Sequence, residues 1–467
     1  MLVNARATVA DSILGVYTGL LACGASNRSP HALEKRRYFE DEEMSSLPAV
    51  SLDSIRSEDA LRVPSGASVP IAVLIVVPTL DGGAADAGAV ELVRILSGAG
   101  HRATVVSRAG RLVADVATAG GEFVPVDLSS NNPVVILRSA FILARLARER
   151  RCAAIHALGR AAAWSGFIAA RLCGIPFITG WYKGFREQNI FKRLYNGIMA
   201  RGDFVIASSE QIAQLINDRY GTPWEKITVV PCSVDLERFN PESVTRERIE
   251  TMRAAWGVTR DTKVILITGR ILRRKGHHVV VKAVRRLKEM GLKDFLCVFV
   301  GEDRGRTRYT GELWDLVLTT DTMDVIRMAA PVADMPAAYA ASSVVVSAAV
   351  QPEGVQRAIL EAQAMARPVI VSDLGAGTDV VLTAPAVPES RIAGFRFHAG
   401  DDAALAAALL RLFSMPEPNR ATIGRRGRDW VLGHFNADTV SEQTLLVYGQ
   451  IAGRLRAPAD SAPVKQG

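Results

Sequence analysis

The run IAVLIVVP at 71–78 is apolar at every position up to its closing proline. A strand with one wet face alternates. A run without alternation is buried on both faces, as in a parallel sheet covered by helices. The same run starts a rhythm. A helical stretch at 86–99 leads to a strand at 103–107, helix 134–149 to strand 153–157, and helix 161–173 to strand 176–179. Helix 190–201 leads to strand 203–208, and helix 209–219 to strand 227–231. Parallel neighbours need crossovers, and helices between short links supply them. The polar segment DLERFNPESVTRER (235–248) breaks the rhythm, and a second series follows. It comprises strand 263–269, helix 276–290, strand 295–301, helix 308–319, strand 344–348, helix 355–366 and strand 368–372. The expected fold class is α/β, with two Rossmann-like, doubly wound domains facing an interdomain cleft. Their expected spans are 68–245 and 246–435. A helix opening the segment 436–467 is expected to cross back to the first domain. Residues 1–67 lack a sustained period and carry the mixed charge run EKRRYFEDEE, so they read as a poorly ordered extension.

The chain has 467 residues, 49% of them hydrophobic and 22% charged, which excludes a disordered protein and leaves room for two or three domains. Its net charge of +8 favours anionic partners, phosphorylated substrates or a membrane surface. Interleaved basic-aromatic motifs and zinc spacings are absent, so nucleic acid is not an expected partner. The five cysteines are scattered and read as reduced thiols of a cytosolic protein. The apolar stretch Ile13 to Gly24 is short of the ~20 residues that span a bilayer. It ends in LLAC, resembling a lipoprotein cleavage site at Cys23. The single cation Arg6 and the acidic Asp11 before the apolar core favour a short helix instead.

Candidate chemistry lies at strand ends. In LITGRILRRKGH (266–277), Gly269 permits a turn, Arg270 and Lys275 supply charge, and Gly276 opens a helix. Cations beside helix amides make a phosphate site; a solvated basic turn is the alternative. His277 and His278 have no ligand partner at metal spacing and read as ordinary helix-start residues. In QPEGVQRAILEAQAMARPVI (351–370), Glu353 and Glu361 stand eight apart, roughly 10–12 Å along a helix. That exceeds the about 5–9.5 Å between paired glycosidase carboxylates and suits the two ends of a long ligand. The amides of Val355 and Gln356 would face a diphosphate between them. Capping and surface glutamates are the bland alternative. Gly82 and Gly83, in PTLDGGAAD, allow close backbone approach but lack a dinucleotide fingerprint. His156 ends a predicted strand, as a cleft contact, a proton carrier or a packed side chain. Tyr182 and Lys183, in TGWYKGF, are further cleft candidates.

Together these pieces resemble the family 4 retaining glycosyltransferases of the GT-B fold, over about 71–455. The resemblance is carried by GRILRRKG (269–276), VGEDRGRTRY (300–309), DMPAAYAASSVVVSA (334–348), PEGVQRAILEAQAMARPVI (352–370) and SDLGAGTD (372–379). In the first half it is carried by PTLDGG (78–83), IHALGRAAAWS (155–165), GIPFITG (174–180) and PCSVDLERFNP (231–241). It is nearest to bacterial members that build surface polysaccharide or lipopolysaccharide. The resemblance implies a nucleotide-sugar donor and a glycan or lipid-linked acceptor. It implies Arg270 and Lys275 on the donor diphosphate, Glu353 on the transferred sugar and Glu361 on the ribose. Gly354, Val355 and Gln356 would form the phosphate-facing loop. No metal or other cofactor is implied, and transfer would retain anomeric configuration. The expected location is cytoplasmic, at the inner face of the membrane, where ARLARERR (143–150) is a candidate contact for anionic lipid.

Several positions depart from that pattern. Val355 and Gln356 replace Phe and Gly, Ala366 replaces the glycine of Ala-Met-Gly, and Tyr182 stands for a cleft histidine. Ser233 stands where a hinge glycine is common, and Ala376-Gly377 with Asp379 replace a glycine pair and Glu. These departures keep a second reading open, a weakened protein that binds nucleotide sugar or a partner without turnover. A nucleotide-sugar epimerase is a third, which lacks an evident second carboxylate motif.

Overall fold

Two parallel sheets organise the chain. The computed structural model describes residues 70–182, 189–303, 305, 307–351, 354–374 and 377–456. The extension read at 1–67 lies outside the described residues, as do Glu353, Lys183 and Ala376.

The first sheet has the order β3-β2-β1-β4-β5-β6-β7. Its strands are β1 (Ala72–Thr79), β2 (Arg102–Arg108), β3 (Glu122–Pro125), β4 (Cys152–Ala157), β5 (Phe177–Trp181), β6 (Phe204–Ala207) and β7 (Ile227–Val229). Helices α1 (Ala84–Gly98), α2 (Val113–Thr118), α3 (Pro133–Glu149), α4 (Arg160–Cys173), α5 (Ile190–Asn196) and α6 (Glu210–Tyr220) provide the crossovers. Val73 through Val77 are fully buried. Alternate residues of β1 feed separate apolar clusters on the two faces of the sheet, as the unbroken apolar run requires.

The second sheet has the order β10-β9-β8-β11-β12-β13. Its strands are β8 (Lys263–Thr268), β9 (Phe295–Val300), β10 (Ile326–Ala329), β11 (Val344–Ser347), β12 (Val369–Ser372) and β13 (Gly394–Phe397). The accompanying helices are α7 (Arg246–Trp256), α8 (His277–Glu289), α9 (Thr307–Thr319), α10 (Met335–Ala341), α11 (Arg357–Ala364), α12 (Gly377–Val380), α13 (Asp402–Ser414), α14 (Glu417–His434) and α15 (Ala437–Arg456). Every strand pairing is parallel.

The sequence rhythm does not contain α2, β3, α7, β10, α10, α12, β13, α13 or α14. The missing strands EFVP, IRMA and GFRF are short and interrupted by polar residues, proline or glycine, whereas β11 and β12, of equal length, open on unbroken apolar runs. The expected helix at 190–201 is α-helical only to Asn196 and continues as a 3₁₀ turn, Gly197–Arg201.

The chain passes between the halves at two places that lie side by side. Cys232, Val234, Phe239 and Val244 pack into the core of the second half. The Val234 amide donates to the Phe435 carbonyl at 3.0 Å, beside the start of α15. Helix α15 then returns to the first half, burying Val447, Tyr448 and Ile451 against its sheet. The four described cysteines, Cys152, Cys173, Cys232 and Cys297, are free thiols.

One departure from the family pattern acquires a conformational meaning. Ala366 follows α11 with φ +53°, in the left-handed region where a Cβ is strained by about 1–2 kcal/mol. Ala366→Gly relieves that strain but adds backbone entropy to the unfolded chain, about 0.4–1 kcal/mol. The net expectation is a gain of roughly 0.5–1 kcal/mol in urea unfolding. A lower midpoint for the glycine variant would contradict this account.

Candidate functional site

In a doubly wound sheet the binding crevice opens where the strand order reverses, beyond the carboxyl ends of the strands. In the second half that point lies between β8 and β11. Beyond β8 the chain turns at Gly269, whose φ of +117° is open to glycine and costly for other residues. A 3₁₀ turn, Arg273–Lys275, follows and delivers the chain to α8. Lys275 leans back over Gly269, its Cε 4.0 Å from where a Cβ would stand. Burial, then the charges of Arg274 and Arg270, lower the Lys275 ammonium from 10.5 to about 7. Arg270 is exposed beside it. The turn therefore gathers Gly269, Arg270 and Lys275 in one place.

The segment after β11 approaches the same point. The expected helix at 355–366 is shorter than its sequence suggests, because Gln356 keeps an extended backbone and α11 begins at Arg357. Gln356 turns its side chain back toward β11, where its Oε1 accepts from Ser347 Oγ at 2.7 Å. Val355 packs against the core of the second half. A small cavity of about 10 Å³ is lined by Thr268, Lys275, Ser347, Gln356 and Ala358. One turn into α11, Glu361 accepts a hydrogen bond from Tyr339 Oη at 2.7 Å. Burial raises its pKa above the usual glutamate value. Its expected partner across the loop, Glu353, lies outside the described residues, so the expected separation of the pair does too.

His277 and His278 occupy the first turn of α8. His277 is buried edge-on against Phe299, and burial lowers its pKa to about 4. His278 Nδ1 lies 3.1 Å from Tyr309 Oη. Among the described residues no group of three or more His, Cys, Asp or Glu gathers as a metal site.

In the first half a cavity of about 50 Å³ lies beyond the carboxyl ends of β4 to β7. Glu91, His156, Gly180, Tyr182, Ser208 and Thr444 supply its polar or close backbone lining. His156 Nδ1 stands 2.7 Å from Tyr448 Oη on α15, and its Nε2 has no protein partner. Burial lowers His156 to about 3. Burial disfavours its protonated form, and the bond to Tyr448 fits the packed reading. Burial first, then the Glu91 charge, raises the Tyr182 phenol. Gly82 and Gly83 sit at the start of α1. Their amides donate to Asp86 Oδ2 at 3.0 and 2.9 Å, so a side chain of α1 itself occupies that turn.

The halves meet through residues already singled out, Tyr182, Ser233, Gly354 and Asp379, and through three that were not, Glu91, Gln211 and Arg357. Glu91 Oε2 on α1 pairs with Arg357 at 2.8 Å, the first residue of α11. Its Oε1 accepts the Ser233 amide at 3.1 Å and also the Ser233 hydroxyl. A Cβ added at Gly354 would lie 1.8 Å from the Tyr182 carbonyl, so only glycine allows this approach. The Gln211 amide also donates to Asp379 at 3.3 Å. Arg357 was visible inside the quoted motif. Glu91 is one acidic position on an amphipathic helix and carried no signal.

The Glu91 and Arg357 side chains are 13% and 42% exposed, so solvent screens part of their attraction. A double-mutant cycle of Glu91→Gln and Arg357→Gln is expected to give a coupling of about 1 kcal/mol in chemical unfolding. A coupling within about 0.3 kcal/mol of zero would remove the pair as a link between the halves. Gly354→Ala is expected to loosen the contact between the halves, read as faster proteolysis of the native protein.

Residues 85–238 match the family described as Glycosyltransferase Family 4, and residues 262–415 match Glycosyl transferases group 1. A D-inositol 3-phosphate glycosyltransferase of Kineococcus radiotolerans is 31% identical over 258 residues, covering 54% of this chain and 58% of that protein. The chain spans about half the length of the curated relatives it matches. A glycosyltransferase from Rickettsia africae ESF-5 superposes with TM-score 0.73 at 27% identity, covering 82% of this chain and 98% of that one. Anabaena HepE, solved in complex with UDP-glucose, superposes with TM-score 0.69 at 19% identity, covering 81% and 100%. Two matched halves, in order, on two Rossmann-like domains leave one conclusion: the chain belongs to the family 4 glycosyltransferases and has their GT-B fold.

Proposed function

We propose that this protein transfers a sugar from a nucleotide-diphosphate donor to a glycan or lipid-linked acceptor, with retention of anomeric configuration. The observation that carries the reading is the basic turn Gly269–Arg270–Lys275 at the switch point of the second sheet, beside the start of α11. Arg270 and Lys275 hold the donor diphosphate and stabilise its charge as the glycosidic bond breaks, without a metal. The amides of the loop at Gly354, Val355 and Gln356 and the positive end of α11 face the same phosphates. Gln356 stays clear of them by bonding Ser347. Glu361 accepts from the ribose hydroxyls, while Glu353 contacts the transferred sugar. Gly82 and Gly83 border the donor from the first half, and the acceptor enters past His156, Tyr182 and Lys183. The acceptor class is an intermediate of envelope polysaccharide or lipopolysaccharide, handled in the cytoplasm at the inner face of the membrane. HepE, with UDP-glucose in its solved structure, supports the donor class.

A second reading is favoured by one observation, the contact between Tyr182 and Gly354 that brings the two halves together across the cleft. On that reading the protein binds a nucleotide sugar without turning it over.

A panel of nucleotide sugars is to be screened by thermal shift, since a ligand of the native state raises its melting point. The hits are then assayed for hydrolysis and transfer. Binding with turnover supports transfer, binding without turnover supports the second reading, and no binding at all refutes both. Lys275→Ala is expected to cut turnover by about 10²-fold or more, and Glu361→Ala to weaken nucleotide binding about 10-fold. Full activity in Lys275→Ala would refute the assignment.

Lys275 also gives binding a pH signature. In the empty site it is mostly neutral above pH about 7. A bound diphosphate favours the ammonium and raises its pKa. Binding at about pH 8.5 therefore takes up a proton, and binding at about pH 6 takes up almost none. Calorimetry in buffers of different ionisation enthalpy reads this directly. Equal proton uptake at both values would overturn the role of Lys275.

A further inference from the structure

Helices α3 and α5 of the first half leave large apolar side chains in solvent. On α3 these are Val134, Leu137 and Phe141, and on α5 they are Ile190, Phe191 and Leu194. Val134 is 75% exposed and Ile190 69%, so they are not the edge of a core. The opposite face of α3 is buried through Ile136, Ala140, Leu143 and Ala147. The helix is thus apolar on both sides, a pattern that a helix lying against water on one face does not need.

The two exposed stretches adjoin. Tyr195 Oη on α5 donates to Asn131 Oδ1 at 2.6 Å, one residue before the cap of α3. Trp164 of α4 stacks on Tyr195, and the neighbouring Ser165 hydroxyl donates to the Ile136 carbonyl of α3.

The charges on these helices have one dominant sign. Arg138, Arg145 and Arg148 share the exposed side of α3 with Val134 and Phe141, at spacings of three and four. Lys192 and Arg193 lie on α5. The carboxylate on the two helices is Glu149, at the far end of α3 and paired with Arg145. Apolar side chains interleaved with long cationic ones, on a helix lying along the surface, suit an interface of acyl chains beneath anionic headgroups. A protein partner would need acidic side chains matched to each cation, whereas an anionic bilayer supplies diffuse negative charge everywhere.

We propose that the exposed face of α3 and α5 docks this protein on an anionic lipid bilayer, with Val134, Leu137, Phe141, Ile190, Phe191 and Leu194 inserted at the level of the headgroups. The surface deepens the membrane-side location of the transferase reading but rests on a separate observation. It also relocates the contact expected from ARLARERR. Ala144, Leu146 and Ala147 of that run are buried, and the exposed apolar side chains begin a turn earlier.

The test is co-sedimentation of the full chain, without any donor, on vesicles of phosphatidylcholine alone or with about 30 mol% phosphatidylglycerol. Binding is expected to be at least about 10-fold stronger on the anionic vesicles and to be lost at about 0.5 M NaCl. The double variants Phe141→Ser/Leu194→Ser and Arg138→Glu/Arg145→Glu should each weaken it about 10-fold or more, with unchanged melting temperature. Equal binding to both vesicle types, or variants that bind like the parent, would overturn the proposal. So would a lipid-free dimer in sedimentation velocity that Phe141→Ser/Leu194→Ser dissociates, since the face would then be a protein interface. No donor enters the assay, so failure of sugar transfer leaves this result standing and the converse holds equally.

Discussion

One carboxylate links a helix of the first half, a helix of the second half and the linker between them. Glu91 stands on the first helix of the first half, 13% exposed, and divides its two oxygens. One pairs with Arg357 at the head of α11, and the other takes the amide and hydroxyl of Ser233, where the chain leaves the first half. The donors come from a helix of the second half and from the linker, so this carboxylate is one of several links between the sheets, with the Tyr182–Gly354 approach, the Gln211–Asp379 bond and the return of α15. Ser233, a departure from the family's usual hinge glycine, is a hydrogen-bond donor in that arrangement.

The donor side shows the opposite electrostatic condition. Lys275 is enclosed near Arg270 and Arg274, and its pKa falls to about 7. Burial and the two neighbouring guanidinium charges both disfavour its ammonium. Glu361, enclosed a turn into α11, is shifted the other way and leans on Tyr339. Groups strained toward neutrality in the empty protein have the most to gain from a ligand that restores their charge or hydrogen bonds.

Much of the frame was legible from one-dimensional pattern. Unbroken apolar runs such as 71–78 and 263–269 specify strands covered on both faces, and the helices between them specify parallel crossovers. The turn at Gly269 with Arg270 and Lys275 was also legible, because a turn, charges and a helix start are local in sequence. Strands β10 and β13 escaped because a charged residue breaks each short apolar run, Arg327 in IRMA and Arg396 in GFRF. The start of α11 also escaped: Gln356 has ordinary helix propensity, but its bond to Ser347 and the Tyr182 carbonyl over Gly354 hold the loop extended.

The sequence by itself determined two doubly wound halves, their order and the basic turn at the second switch point, because each follows from local propensity and hydrophobic period. Only the tertiary structure decided that Glu91, Ser233 and Arg357 form one network, that His156 is buried against Tyr448, and that the Gln356 side chain turns back to Ser347. It alone exposed an apolar and cationic face on α3 and α5. These are contacts between residues up to 292 positions apart, and burial that remote packing imposes leaves no periodic trace in the chain.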